Sequence, residues 1–471
     1  MKIQSKSPLT VLEWILIVIM LLATVFFRLQ YFSFVQVTSD SLSPFVGAIR
    51  AIDQWHWLPA NPESDQWLWV LALPLVMVAD SLSDLFWLKC LSTSIVVPIG
   101  MWVVGQMVSK LRWFWMLGTG ALLMVDLGLI DTMLSSFRGY WAPECLALAL
   151  VGWVHWQKGH LWGALWGTGW LTIAMGQHPL VLGCTPILLG WWIHMKVRGE
   201  AWYLAVGIFT VLSIPRLIWL WSLSQCDAGG LQCFSEIAIS SSENQPMSDM
   251  LWRVLHDRLW VEMGLAGPIM ILGCSFSSNQ YLRRGILLGL LGITILGLSV
   301  STLRPYHYRV LIVPLFIWAA HGWSQRGKVG VGVFSIWIAL SFWTRLHPVE
   351  WYSTVSTYDA IADFLCKQSN PVWIEGYGSD LKVMPQGVGV SMKLQRCQVP
   401  MSRAPSSSIW VLSSPDDLGS SLLAGESIEF EDVFLHSIET SQFQRSESGL
   451  WWSGYDVAIL SHPETQVHLD W

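Results

Sequence analysis

Charged side chains are scarce: only 13% of the 471 residues are Asp, Glu, Lys or Arg, against about a quarter in a soluble protein. That shortage excludes a water-soluble globule for most of the length. No basic patch is present, and the net charge of −6 gives no sign of a nucleic-acid partner. The chain lacks GxGxxG, a P-loop and GxSxG, so it offers neither a common nucleotide cradle nor a serine nucleophile elbow. Its cysteines lack CxxC and Cys/His spacings, which argues against a structural zinc site. No internal repeat recurs at a fixed period, as it would in a transporter built of two halves.

What fills the chain instead is apolar: 53% of it is hydrophobic and its mean hydropathy is +0.46. Runs near twenty residues with few charges read as transmembrane helices. They fall at about 11–32, 84–108, 114–131, 139–156, 161–175, 179–195, 201–221, 262–279, 285–301, 306–323 and 329–344. The first is too long for a signal peptide and lacks a small-residue cleavage site, so it reads as a retained helix. Many of the 32 tryptophans sit at span ends, among them Trp14, Trp67, Trp113, Trp115, Trp141, Trp191 and Trp192. An indole there sets an apolar ring and an N–H donor at headgroup level.

The connections sort by charge. One class carries Lys2/Lys6, Lys110/Arg112, Lys158, Lys196/Arg198, Arg283/Arg284 and Arg326/Lys328. The other carries Asp40, Arg138, His178, the Cys226–Cys233 loop, Arg304/His307 and the C-terminal segment. Cytoplasmic loops collect Lys and Arg, so the first class is inside and the N-terminus with it. Cysteine placement agrees. Cys90, Cys145, Cys184 and Cys274 lie within spans, whereas Cys226, Cys233, Cys366 and Cys397 fall on the outer side. Two disulfides, Cys226–Cys233 and Cys366–Cys397, fit an oxidising outer compartment.

Residues 33–83 are more than a loop. Ser43 reads as an N-cap and Pro44 as the first helical residue of an amphipathic surface helix. Residues 65–80 are apolar, short and interrupted by Pro74, which reads as a juxtamembrane helix. A full crossing there would put Lys110 and Arg112 outside. A further surface helix is expected at about 247–260, in an outer excursion spanning 222–261. Beyond 344 the hydropathy drops. A helix at 359–365 and strand-like runs at 371–378, 407–414, 432–436 and 454–459 predict a small α/β domain. The expected architecture is thus a polytopic α-helical membrane protein of about eleven spans over 1–344, with an extracytoplasmic α/β domain over 345–471.

Ionisable groups near apolar spans are costly and mark function. Those expected at the outer side are Arg28, Asp40, Asp126, Asp131, Arg138, Glu144, His178, Arg216, Arg304, His307 and Arg309. Together they describe a polar cavity opening outward. Cations beside a membrane suit a lipid phosphate, and a carboxylate among them suits a general base. Each also has a structural reading. Asp40 can cap its helix, Arg28 can snorkel, Arg138 and Tyr140 can anchor at the interface, Glu144 can bond between helices, His178 can serve a turn, and Asp126 or Asp131 can pair with Arg138.

These residues carry a resemblance. Arg28 with Asp40-Ser-Leu-Ser-Pro-Phe-Val-Gly-Ala resembles the start of polytopic glycosyltransferases of the GT-C class, which include protein O-mannosyltransferases and lipid A aminoarabinose transferases. Residues 59–80 resemble their second juxtamembrane helix, and Leu88-Lys-Cys-Leu-Ser-Thr-Ser-Ile their second span. Ser136-Phe-Arg138-Gly-Tyr140 with Glu144 is similar to their Arg-Tyr segment, and Arg304-Pro-Tyr-His-Tyr-Arg309 with Pro314 to a late span. The resemblance implies a sugar on a polyprenyl phosphate as donor, an acceptor hydroxyl of unassigned identity, and a place in the bacterial inner (plasma) membrane. It implies Asp40 as the base and Arg138, His178, Arg304, His307 and Arg309 as phosphate ligands, with Arg28, Glu144 and Asp131 also at the site. Two departures stand out: Asp40-Ser41 where the family often has Asp-Glu, and Gly176-Gln177-His178-Pro179 where many members carry a Lys. Some members need a divalent ion, so the resemblance leaves that cofactor open, although no metal ligand set is visible. The competing classes are a polysaccharide polymerase or ligase, which would concentrate arginines in its large outer loop, and a non-catalytic or transport protein.

Overall fold

The computed structural model of the protein describes residues 8–30, 39–53, 66–126, 129–130, 141–177, 179–224, 252, 266–299, 305–343, 355–377, 383–399, 408–413, 427–430, 433–438, 443–446, 449–452 and 458–459. Helix α1 (Val11–Leu29) starts at a capping box in which Thr10 and Glu13 exchange side-chain to backbone hydrogen bonds. Glu13 also receives Arg112 Nε at 2.5 Å and Nη2 at 2.6 Å. This bidentate pair ties α1 to the start of α6 (Arg112–Val125).

Helix α2 (Ser39–Asp53) begins earlier than the cap signals predict, and Pro44 lies inside it. Proline has no N–H to give the Asp40 carbonyl four residues back. Its buried side chains include Leu42, Phe45, Val46 and Ile49, and it packs on α3 (Gln66–Val78). The next span is broken into α4 (Leu82–Thr93) and α5 (Val96–Met107). At the break, Ser94 Oγ (2.8 Å) and Thr93 Oγ1 (3.2 Å) both donate to the Cys90 carbonyl. Hydroxyls turned back on the helix in this way bend it.

The following helices are α7 (Ala142–Gln157), α8 (Leu161–Met175), α9 (Thr185–Val197), α10 (Trp202–Ser224), α11 (Ala266–Phe276), α12 (Gln280–Ser299), α13 (Ile312–Ser324) and α14 (Gly327–Trp343). Short 3-10 turns, Pro179–Cys184 and Pro305–Leu311, lead into α9 and α13. Helices α7 and α8 meet at glycine: a Cβ on Gly152 would lie 2.5 Å from the Gly163 oxygen and the Gly167 nitrogen. Small residues bring backbones this close in apolar surroundings, where dispersion and not hydrophobicity drives helix pairing.

Among the described residues, two helical stretches are long and apolar enough to cross a membrane, Val11–Leu29 and Leu82–Met107; other apolar helices are shorter. The outer surface is nonetheless apolar over many turns. Leu22, Phe26, Ile193, Val211 and Leu291 are all more than half exposed. A surface of this extent suits lipid and not water.

After α15 (Val355–Leu365) come β1 (Val372–Tyr377), α16 (Val383–Leu394) and β2 (Ser408–Ser413). Strands β1 and β2 are parallel, with Ile374 opposite Trp410, so the unit is a βαβ crossover. β4 (Val433–Ile438) then runs antiparallel to β2, and β3 (Ser427–Phe430) lies at the edge. A second small sheet holds β5 (Phe443–Ser446), β6 (Gly449–Trp452) and β7 (Ala458–Ile459). Cys366 and Cys397 form a disulfide that joins the ends of α15 and α16. Both helices pack on the juxtamembrane side: α16 contacts α2, and α15 contacts α4. One apolar core runs from Phe45 and Phe86 through Tyr358 and Val388 into Leu412 and Leu435.

Candidate active site

The ends of α1, α4, α6 and α7 bring four ionisable side chains into one neighbourhood. Arg28, in the last turn of α1, is fully buried. Its Nη1 reaches Thr93 Oγ1 at 3.4 Å and Ser94 Oγ at 3.5 Å, at the break between α4 and α5. Its Nε and Nη2 have no hydrogen-bond partner among the described residues. Glu144, in the first turn of α7, is buried too, and its Oε2 has no such partner. Glu144 and Asp126 are the carboxylates that interact electrostatically with Arg28. Asp126 caps the next turn by accepting from Leu129 N at 3.0 Å. Lys89, fully buried on α4, interacts electrostatically with Glu144, and its Nζ lies 5.3 Å from the Phe86 ring centroid.

Aromatic rings form one wall of this group. Phe45 of α2 meets Phe86 of α4 at 6.0 Å and Trp141 at 6.5 Å, both edge to face. Trp141 is pinned at both ends: its backbone N–H donates to Gln177 Oε1 and its indole N–H to Ser92 Oγ, each at 3.0 Å. Gln177 in turn donates to Cys145 Sγ at 3.0 Å. Phe86 and Trp141 each precede an ionisable residue, Lys89 and Glu144, by three positions. The helix that carries Asp40 is therefore docked on the same rings that flank the charges.

The structure brings Arg28 and Glu144 together, as two of the expected site residues. Asp40 is the second residue of α2, and its side chain lies outside the described set. Asp131, Arg138, His178 and Arg304 lie outside the described residues, as do Cys226 and Cys233. His307 and Arg309 sit in the 3-10 turn before α13; Arg309 is half-buried, and the His307 side chain is not among those described. The residue that sequence reasoning missed is Lys89. Its signal was a lone cation inside an apolar span near the outer end, against the positive-inside trend. Among the described residues, no group of three His, Cys, Asp or Glu side chains is placed to hold a metal ion.

Chemically, a buried guanidinium with two unpartnered nitrogens is costly in a dry interior and offers donors to an anion. The mixture of two cations and two carboxylates keeps the group near neutrality when all are ionised. An anionic guest held there would meet oriented donors in a low-dielectric setting.

The architecture has solved counterparts. The structure described as ArnT from Cupriavidus metallidurans bound to undecaprenyl phosphate matches with a TM-score of 0.56 at 12% identity, over 91% of this chain and 98% of that one. The chain has the ArnT fold. The apo state of the same protein matches with a TM-score of 0.53 at 11% identity, over 90% of this chain and 97% of that one. ArnT is an aminoarabinose transferase of the GT-C class. Nearly the whole of each chain is aligned, so the shared fold extends beyond the helical part into the C-terminal part. No protein-family profile matches the sequence, and no curated protein does.

Proposed function

We propose that the protein is a membrane glycosyltransferase that moves a sugar from a polyprenyl phosphate to an acceptor hydroxyl on the extracytoplasmic side. The observation that carries this reading is the buried Arg28–Lys89–Asp126–Glu144 group, set at helix ends in a chain with the ArnT fold. The solved counterpart bound to undecaprenyl phosphate supplies the donor class. In this reading residues 1–344 form the catalytic membrane part of about eleven spans and 345–471 an extracytoplasmic domain, with the N-terminus inside.

The acceptor oxygen attacks the anomeric carbon as the bond from that carbon to the phosphate oxygen breaks. Asp40 takes the hydroxyl proton, and the polyprenyl phosphate leaves as an anion without needing a proton. One displacement inverts the configuration, as in inverting glycosidases. The free edge of Arg28 receives charge as it grows on the phosphate, together with Arg138, His178, Arg304, His307 or Arg309. Glu144 and Asp131 hold the cations in place.

The test is turnover of undecaprenyl-phosphate pentoses and hexoses by purified protein in nanodiscs, read as release of undecaprenyl phosphate. Asp40→Asn should lower the rate by about 10²–10⁴-fold, the usual range for a general base. Undiminished transfer by that variant would leave Asp40 as a structural residue and overturn the mechanism.

A further inference from the structure

The C-terminal disulfide stands at the head of a hydrogen-bonded path to the buried charges. Helix α16 ends in a paired turn: Arg396 N donates to the Lys393 oxygen and Cys397 N to the Met392 oxygen, both at 3.0 Å. Such an ending turns on one residue in the left-handed region, where glycine is usual. Here that residue is Arg396, at φ 53°, and a side chain makes the conformation costly. The next residue is Cys397, bonded to Cys366 at the end of α15. The bridge therefore clamps a strained turn.

Gln395, just before the turn residue, carries the clamp inward. Its Nε2 donates to the Asp359 carbonyl at 3.2 Å and to Ser391 Oγ at 3.3 Å, and its Oε1 lies 3.9 Å from Cys366 Sγ. Ser391 Oγ donates to the Asp359 carboxylate, which accepts from Leu82 N and Ser83 N at the start of α4. Helix α4 sets Lys89 beside Glu144 and gives Thr93 to Arg28. The bridge itself is reachable. Cys366 and Cys397 are each partly exposed, and their neighbours Lys367 and Arg396 are exposed cations. A cation beside a sulfur stabilises it as a departing thiolate and speeds exchange.

We propose that the Cys366–Cys397 bridge is a redox control of the transfer site, closed in the active form and opened by a dithiol reductant of the outer compartment. A thiolate of the reductant bonds to one sulfur as the S–S bond breaks, and the other cysteine leaves as a thiolate and takes a proton. The second thiol of the reductant loses its proton, closes a disulfide within the reductant and frees the first cysteine, which is protonated in turn. Two electrons pass to the protein. With the clamp open, Arg396 leaves the left-handed region, Gln395 withdraws from Asp359 and Ser391, and the start of α4 loosens. The effect on rate rests on the glycosyl-transfer reading; the loosening of α4 does not.

Full-length protein in nanodiscs is compared with and without dithiothreitol, below the melting temperature of the reduced form. Reduction of wild type should speed exchange of the Leu82 and Ser83 amides about tenfold, the effect of one lost hydrogen bond. It should also lower kcat for an undecaprenyl-phosphate sugar about tenfold, because group transfer is sensitive to small displacements. Cys366→Ser/Cys397→Ser should match the reduced protein and ignore dithiothreitol, which separates this bridge from the Cys226 and Cys233 pair. Gln395→Leu, with the bridge closed, should show the same fast exchange. A bridge that only stabilises its own domain would lower the melting temperature on reduction and leave both amides protected. That result overturns the proposal, as does a double-serine variant that still responds to dithiothreitol, a Gln395→Leu variant with wild-type exchange, or faster exchange with unchanged kcat. If no form transfers any sugar, the function proposed above fails, and faster exchange on reduction still upholds the coupling of bridge to α4.

Discussion

Replacing Asp359 by Ala should uncap α4 from 277 residues away. The Asp359 carboxylate accepts from Leu82 N and Ser83 N, both at 2.9 Å, and from Ser83 Oγ at 2.5 Å. Ser391 Oγ of α16 donates to it as well. The first amides of a helix have no partner within it, and here the work is divided. Ser81 Oγ takes Asp84 N at 3.0 Å, while Asp359 takes the two before it. Loss of a capping side chain costs about 1–2 kcal/mol. Loss of a negative charge at a helix start adds roughly 0.3–1 kcal/mol. The Ser83 hydroxyl is partly exposed and adds about 0.5 kcal/mol, and the buried Ser391 hydroxyl adds about 0.5–1 kcal/mol, since it keeps Gln395 as a neighbour. The sum is about 3 kcal/mol for Ala; Asn, which keeps a neutral acceptor, should lose about half of that. The assay is hydrogen exchange by mass spectrometry on a peptide that begins before residue 80. The Leu82 and Ser83 amides should exchange about a hundredfold faster in Asp359→Ala, while Asp84, held by Ser81, should stay protected. Equal exchange of the first two amides in wild type and variant would refute the capping argument.

Other perturbations have defined outcomes. Arg28→Gln should fold, because its bonds to Thr93 and Ser94 are long. Its kcat/KM for donor should fall about 10²-fold, the effect of one lost oxyanion donor; unchanged donor kinetics would make Arg28 structural. Removing the Cys366–Cys397 bridge, which closes a separation of 31 residues, should cost the C-terminal part about 3–4 kcal/mol in a denaturant titration. Gly152→Ala should destabilise by about 1–3 kcal/mol, because the added methyl must part α7 from α8, and a melting temperature equal to wild type would dismiss that contact. Burial holds the His436 imidazole below its ordinary range. The unfolded chain then takes the proton first, so stability present above about pH 6.5 is lost as pH falls below it; His436→Leu should flatten that slope.

What the sequence made legible follows from the range of each interaction. Helices were readable because apolar runs and charge asymmetry are local, and the strands at 372–377 and 408–413 because short apolar runs end at Gly and Ser. Arg28 and Glu144 stood out as ions in apolar surroundings. The start of α2 was misplaced, since Ser43-Pro44 looks like a cap and first turn, yet the helix begins at Ser39. Helix α16 went unread because Pro385, Gly387 and Gly389 look like breakers. The structure explains Gly387: a Cβ there would strike the Tyr358 ring, so the glycine permits close packing of α15 on α16. Asp359 gave no local sign of its role, because its partners on α4 lie hundreds of positions away in sequence.

Helix α4 connects these observations mechanically. Its first turn is held by Asp359, its fifth residue Phe86 packs on Phe45 of the helix bearing Asp40, and its eighth residue Lys89 lies beside Glu144. Its last turn gives Ser92 to Trp141 and Thr93 to Arg28. A helix of twelve residues spans about 18 Å and moves as a unit over that distance. A displacement imposed by the C-terminal part is therefore delivered to the buried charges and to the seat of α2 together. Sites of group transfer are sensitive to shifts of about 1 Å, which gives the contact of α15 with α4 a consequence beyond anchoring. A change at Asp359 is expected to act on the geometry of the candidate site without touching any group in it.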